Sequence, residues 1–195
     1  MAVIRVNPQS IEAYSRTASQ QFDQIRSELE ALTRDVVAVR YFGPNAYDFK
    51  TQCGQLAVEF ANALIMDLRG IADAVRASTT NISAALGGRT VNIEFDGSPV
   101  AAPDVPAADE TVDIDTSALE ALRPVVTSRF ASLQEALQAH LTVLQGTDWE
   151  GTAKQGAVDI VQQFTNSARA KAGEAESNLN QTIDTQVNSV LAADR

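Results

Sequence analysis

Cys53 is the only cysteine, which excludes an internal disulfide and a cysteine-based zinc cluster. His140 is likewise the only histidine, so no set of convergent imidazoles exists to hold a metal. Cations are also scarce: 15 Lys and Arg stand against 25 Asp and Glu, for a net charge of −10. They are scattered rather than clustered, which argues against nucleic acid as a partner, because a binder must neutralise phosphates with gathered positive charge. No apolar run approaches the roughly 18 residues of a membrane-spanning helix, so no integral membrane segment is expected. The opening Met1-Ala2-Val3-Ile4-Arg5-Val6-Asn7-Pro8 lacks the charged and apolar regions of a Sec signal peptide. Export would therefore need a pathway for folded, signal-less cargo. No Gly-rich phosphate loop follows a strand, and no nucleophile-elbow sequence accompanies His140. Neither catalysis nor a cofactor is expected.

What the chain does have is helical periodicity and, at 45% hydrophobic residues, enough apolar material for one shared core. Ile11, Tyr14, Ala18, Phe22, Ile25, Leu29, Leu32, Val36 and Val39 fall three or four apart and keep one stripe on one helix face. Asn7 suits the N-cap of that helix and Pro8 its first position, where the missing N–H costs nothing. After a break at Tyr41-Phe42-Gly43-Pro44-Asn45, a second stripe runs from Phe49 through Cys53, Leu56, Phe60, Leu64, Leu68, Ile71, Val75 and Ile82 to Leu86. Gly87-Gly88 then offers a left-handed cap. A third stripe uses Leu119, Leu122, Val126, Phe130, Leu133, Leu137, Leu141 and Leu144, entered through a capping box at Ser117-Ala118-Leu119-Glu120. The fourth, Ala157, Val161, Phe164, Ala168, Ala172, Leu179, Ile183, Val187 and Val190, has alanine at its middle and should be the most weakly held.

Three segments result: a helical hairpin over 1–88, an extended Pro/Ala/Asp-rich linker over 89–116, and a second hairpin over 117–195. The hairpins match without a gap when 108 is subtracted from the later numbers: Leu119 falls on Ile11, Phe130 on Phe22, Trp149 on Tyr41, Gly151 on Gly43, Ile183 on Val75. Asp115 falls on Asn7. An internal duplication accounts for agreement in both stripes and turns. A helix of about 33 residues is roughly 50 Å long, and a linker from Gly87 to Thr116 reaches roughly 100 Å extended. That length suits hairpins packed antiparallel, where the linker must travel a full helix. The expected fold is all-α, an antiparallel four-helix bundle, with Phe22, Leu29, Phe60, Ile71, Phe130, Leu137, Phe164 and Ile183 in the inter-hairpin core. In the linker, Thr90–Phe95 and Thr111–Ile114 alternate apolar with polar residues. Two outcomes are open for them: a small strand pairing with Val3–Val6, or an extended strap packed on helices without a ladder.

Asp148-Trp149-Glu150-Gly151 sits at the bend between the third and fourth helices. Glycine permits the backbone that ends one helix and starts the next, and the indole covers the open end of the hairpin. At that placement the second half resembles the WXG family of small type VII (ESX) secretion proteins, the hairpins of the early secreted antigenic target type. The first half carries the pattern as Tyr41-Phe42-Gly43. The resemblance implies that each half is one family hairpin, here fused in tandem, and that Tyr41, Gly43, Trp149 and Gly151 are its turn residues. It also implies secretion cargo or an adaptor, with the type VII machinery or a co-secreted protein as partner, and a monomeric pseudo-dimer. Such a protein is secreted without a Sec signal, or cytoplasmic if an adaptor. The family's Tyr-x-x-x-Asp/Glu export signal is missing: Val190-Leu191-Ala192-Ala193-Asp194 has no tyrosine, and Tyr14, Tyr41 and Tyr47 have no acid four residues on.

The remaining chemistry-bearing residues have plain readings. His140 is a buried or boundary histidine satisfied by a polar neighbour, and Cys53 a small packing residue. The linker acids Asp104, Asp109, Glu110, Asp113 and Asp115 fail the EF-hand pattern, with Pro124 where its closing glutamate belongs, and form a solvated strap. Asn81-Ile82-Ser83 and Asn180-Gln181-Thr182 match glycosylation sites but fall on helices. Two further functional classes are a chaperone that lays the sparse fourth helix against a larger substrate, and a self-assembling structural bundle.

Overall fold

Asn7 caps the first helix: its side-chain oxygen accepts the Gln9 and Ser10 N–H groups at 3.1 and 3.4 Å, and α1 runs Pro8–Ala38. The computed structural model describes residues 4–85, 92–107 and 111–193, and the chain is an all-α four-helix bundle. Helix α2 spans Pro44–Ala85, α3 Thr116–Gln145 and α4 Thr152–Ala193. The four strands are two residues each: β1 Arg5–Val6, β2 Tyr41–Phe42, β3 Asp113–Ile114 and β4 Trp149–Glu150. The cap expected from Gly87-Gly88 lies outside the described residues.

The entry to α3 corrects the capping-box expectation. The cap is Asp115, the register counterpart of Asn7, rather than Ser117: the Asp115 carboxylate accepts the Ala118 N–H at 3.0 Å and the Ser117 hydroxyl at 2.6 Å. A carboxylate accepts more strongly than a hydroxyl at a helix N-terminus, where the N–H groups lack partners, so Asp115 takes the cap and Ser117 becomes its donor.

Backbone contacts divide the chain into two units, each built from a stretch of all four helices. The first comprises Met1–Arg26, Leu64–Ser98 and Gln134–Arg169, and the second Ser27–Ala63, Pro99–Leu133 and Ala170–Arg195. Each unit therefore draws on both hairpins. In the first, Phe22, Ile71, Leu137 and Phe164 are buried, together with Tyr14, Ile25, Leu68, Val75 and Leu144. In the second, Leu29, Phe60, Phe130 and Ile183 are buried, together with Val36, Phe49, Leu122 and Leu179, and the Phe60 and Phe130 rings meet with centroids 5.2 Å apart. On α4 no buried residue stands between Ala172 and Leu179, and Val187 and Val190 are half-buried. With alanines as the mid-helix anchors, α4 buries less apolar surface per turn than its counterpart α2.

The strand pairs answer the open question about the linker in an unforeseen way. Strand β1 pairs antiparallel with β4, and β3 with β2, so the segment before each hairpin joins the turn of the other hairpin. Within the first unit the turn at Trp149 thus lies beside the start of α1; within the second, the turn at Tyr41 lies beside the start of α3. That is the antiparallel arrangement. Residues 92–107 hold no strand and form the extended strap, with Ile93 and Val100 buried. In the first unit the strap advances four residues from Ile93, beside Arg76, to Gly97, beside Arg69. In the second, it advances three from Val100, bonded to Asn62, to Pro103, against Gly54. At about 3.3 Å per extended residue and about 1.5 Å per helical residue, both advances are close to those of an extended chain running antiparallel to α2.

Candidate functional site: the two aromatic-glycine turns

The 108-residue register extends to individual bonds at the turns. Val6 pairs with Trp149 and Tyr41 with Ile114; the Asn7 N–H donates to Asp148 O at 2.9 Å and the Asp115 N–H to Arg40 O at 3.2 Å. Trp149 N–H donates to Thr147 O and Tyr41 N–H to Val39 O. Gly43 and Gly151 are the two glycines with positive φ among the described residues, at 119° and 127°, a region that L side chains rarely enter. Gly43 O then accepts the Tyr47 N–H and Gly151 O the Gln155 N–H, which starts the following helix.

At the second turn, carbonyls at the end of α3 and just beyond it are taken up locally. The Lys154 ammonium donates to Gln145 O at 3.0 Å and Thr147 O at 2.7 Å, and the Thr147 hydroxyl to Leu144 O at 2.7 Å. Asp148 accepts the Asn7 amide at 3.2 Å, and its own N–H donates to the Ser10 hydroxyl at 2.8 Å. Trp149 is fully buried and its indole N–H has no hydrogen-bond partner.

The first turn is more open. Tyr41 is buried against Phe49, ring centroids 5.9 Å apart, and its hydroxyl accepts the Gln186 amide of α4 at 2.6 Å. Burial holds this phenol above its usual pKa, and the Gln186 hydrogen bond offsets part of that rise. Gly43 lies so close to the linker that a Cβ there would meet Val112 Cγ2 at 3.2 Å. Phe42 is 41% exposed, with the Lys50 ammonium 4.8 Å from its ring centroid, a cation–π placement. Burial lowers the Lys50 pKa. Arg40 and Asp113 form an exposed ion pair at 3.1 Å. A cleft of about 370 Å³ opens here, lined by Tyr41, Phe42, Pro44, Ile114, Gln186 and Val190 among others. Its walls are mostly apolar, with amide and hydroxyl groups among them, a lining that suits apolar side chains.

The other residues marked by sequence occupy cores. His140 is buried between Phe22, 4.7 Å away by ring centroids, and Tyr14, whose hydroxyl lies 3.0 Å from Nε2. Burial pulls its pKa down to about 4, so the ring is neutral near pH 7, and Nδ1 has no partner. Burial pushes the Cys53 thiol up to about 12, which leaves almost no thiolate for nucleophilic work. Among the described residues, no three His, Cys, Asp or Glu side chains are grouped to hold a metal, and no helix is long and apolar enough to cross a membrane. Linker acids Asp96 and Asp113 pair with Arg26 and Arg40, while Asp109 and Glu110 lie outside the described residues. Sequence reasoning missed Gln186 as the partner of Tyr41; it offered 3–6 and 111–114 as candidate strands but paired them with one another rather than with the two turns. Comparison with protein-family models, curated proteins and solved structures finds no match.

Proposed function

We propose that the chain is a non-enzymatic recognition protein, a single-chain counterpart of a WXG heterodimer that serves type VII secretion as substrate or adaptor. The observation that carries this reading is the pair of aromatic-x-glycine turns, each with a buried ring and a positive-φ glycine at the bend of a long helical hairpin. The matched bonds across 108 residues support a duplicated hairpin. The contact surface for the machinery or a co-exported protein is the first turn with the last turns of α4. There Phe42, Tyr47, Val112 and Leu191 are all exposed apolar residues; at the other turn the register positions of the first three hold Glu150, Gln155 and Ile4, of which one is apolar. Apolar surface kept in water marks a site meant to be covered.

Deleting the gene and measuring type VII substrates in culture supernatant tests the role. Loss of one substrate, or secretion of this chain itself, supports it; unchanged export of every substrate with this chain absent from the supernatant removes it. A chaperone reading has one observation in its favour, the alanine-anchored middle of α4, whose residues 169, 170, 173, 174, 177 and 178 are exposed. Co-purification of a stable complex with a larger protein, with no secretion of this chain alone, would favour it.

A further inference from the structure

In the first unit, strap residues Ile93–Ser98 lie between α1 and α2 in a manner that depends mostly on the strap's backbone. The Arg76 guanidinium donates to Ile93 O at 2.7 Å; the Arg26 guanidinium donates to Asp96 O at 2.9 Å and Ser98 O at 2.6 Å. The Ser19 hydroxyl accepts the Glu94 N–H at 3.0 Å. Three carbonyls and one N–H are thus held by helix side chains where a sheet would use a neighbouring strand. Two side chains add packing: Ile93 is fully buried, and Phe95 meets Phe22 edge-on at 5.4 Å. Asp96 contributes its carboxylate, 3.5 Å from Arg26 Nε, and Gly97 lies against the Arg69 side chain. Three of the chain's fifteen cations gather here. In the other hairpin the register position of Ser19 keeps a hydroxyl, as Thr127, but none of the cations recurs: the positions of Arg26, Arg69 and Arg76 hold Gln134, Ser177 and Asp184. A linker needs only length; this segment has a clasp.

We propose that this α1–α2 groove is a site for an extended peptide, filled in cis by Ile93–Ser98. Its occupant in trans is an extended segment of a partner protein with an aliphatic residue, an aromatic residue two positions on and an acid directly after it. Backbone-directed contacts accept any extended chain, while Phe22 and the arginines select the apolar-aromatic-acid order. The cis segment competes at high effective concentration, so the site stays closed until a partner of higher affinity or higher valency arrives. The proposal uses residues other than those of the first turn and stands whether or not the secretion reading does.

The test uses the full chain and a fluorescein-labelled peptide of residues 92–100, read by anisotropy. Replacing both cis anchors, Ile93→Ser with Phe95→Ser, empties the groove and should tighten peptide binding at least ten-fold over the wild type. Adding Arg76→Ala should reverse that gain at least five-fold, and a peptide with serine at both anchor positions should bind at least ten-fold more weakly. No gain in a variant whose helicity equals the wild type overturns the proposal, as does equal binding of the serine peptide. Should the variant fail to fold, hydrogen exchange on the wild type decides: excess peptide must accelerate exchange at residues 92–98, and unchanged exchange refutes the site. A wild-type dimer that grows with concentration and is dissolved by the peptide would assign the groove to a second copy and overturn the foreign partner.

Discussion

Trp149 and Tyr41 occupy equivalent places 108 residues apart, yet the indole N–H is buried without a partner while the phenol is held by Gln186 at 2.6 Å. The difference extends through the units around them. Among the described residues, the Trp149 unit holds buried unpaired atoms at Gln21, Arg76, His140, Trp149 and Thr165, against Thr51 and Asn180 in the Tyr41 unit. Each such atom gives up hydration without a replacement bond. Around the Tyr41 turn lie the exposed Phe42, Tyr47 and Val112 and an open cleft. One backbone plan has thus been put to two uses. One turn is sealed by a large ring whose N–H goes unpaired; the other satisfies its ring hydroxyl and carries exposed apolar side chains at its surface, a distribution expected of a surface that meets a partner.

The strongest way to break this comparison is to remove the rings. Trp149→Ala deletes a fully buried aromatic and should cost about 3–5 kcal/mol in denaturant unfolding. A cost below about 1 kcal/mol would mean the indole seals nothing.

Acid should then separate the units. Buried His140 has a folded-state pKa of about 4, against about 6.5 for an unfolded histidine. Between those values the unfolded chain holds the extra proton, so this contribution to stability is complete above about pH 6.5 and falls with pH to a floor below about pH 4. The loss is about 3 kcal/mol at most. Stability measured from pH 7 to pH 4 should show this slope, and His140→Leu, which copies the register residue Leu32, should flatten it. An equal slope in both proteins would clear His140 of the effect.

The turn glycines give a smaller and more discriminating effect. Alanine at either position meets the positive-φ penalty of about 1–3 kcal/mol. Gly43→Ala also drives a methyl toward Val112 at 3.2 Å, so it should cost more than Gly151→Ala in the same unfolding measurement. The reverse order would show that Val112 yields freely and that the linker is loosely held at the first turn.

Periodicity made the helices legible because a three-four stripe has one low-energy solution in water, and the stripe from Ile11 to Val39 is buried at every position, as that solution requires. Register made the turns legible, since Gly43 and Gly151 needed the same backbone conformation. The strand partners were not legible: alternation in 90–95 and 111–114 marks extended chain but not what it pairs with, and two-residue bridges carry almost no compositional signal. Asp115 was legible as the register counterpart of the cap Asn7, but the serine two residues on offered a competing start, and acceptor strength decides between them. Tyr14 meeting His140 required the relative rotation of two hairpins, which stripes alone leave undetermined.

The smallest effect isolates the contrast between the two rings. Tyr41→Phe keeps the ring against Phe49 and removes the acceptor of the Gln186 amide, so stability should fall by about 1 kcal/mol, the net worth of one hydrogen bond. Gln186 is half-buried and can turn its amide toward water, which keeps the loss small. Gln186→Leu should cost a similar amount, and the double variant little more than either alone, because both remove one interaction. Additive losses in that cycle would show that the two side chains act separately. The α4 terminus would then be held at the first turn by packing alone, and the satisfied ring hydroxyl that distinguishes this turn from the Trp149 turn would have no energetic content.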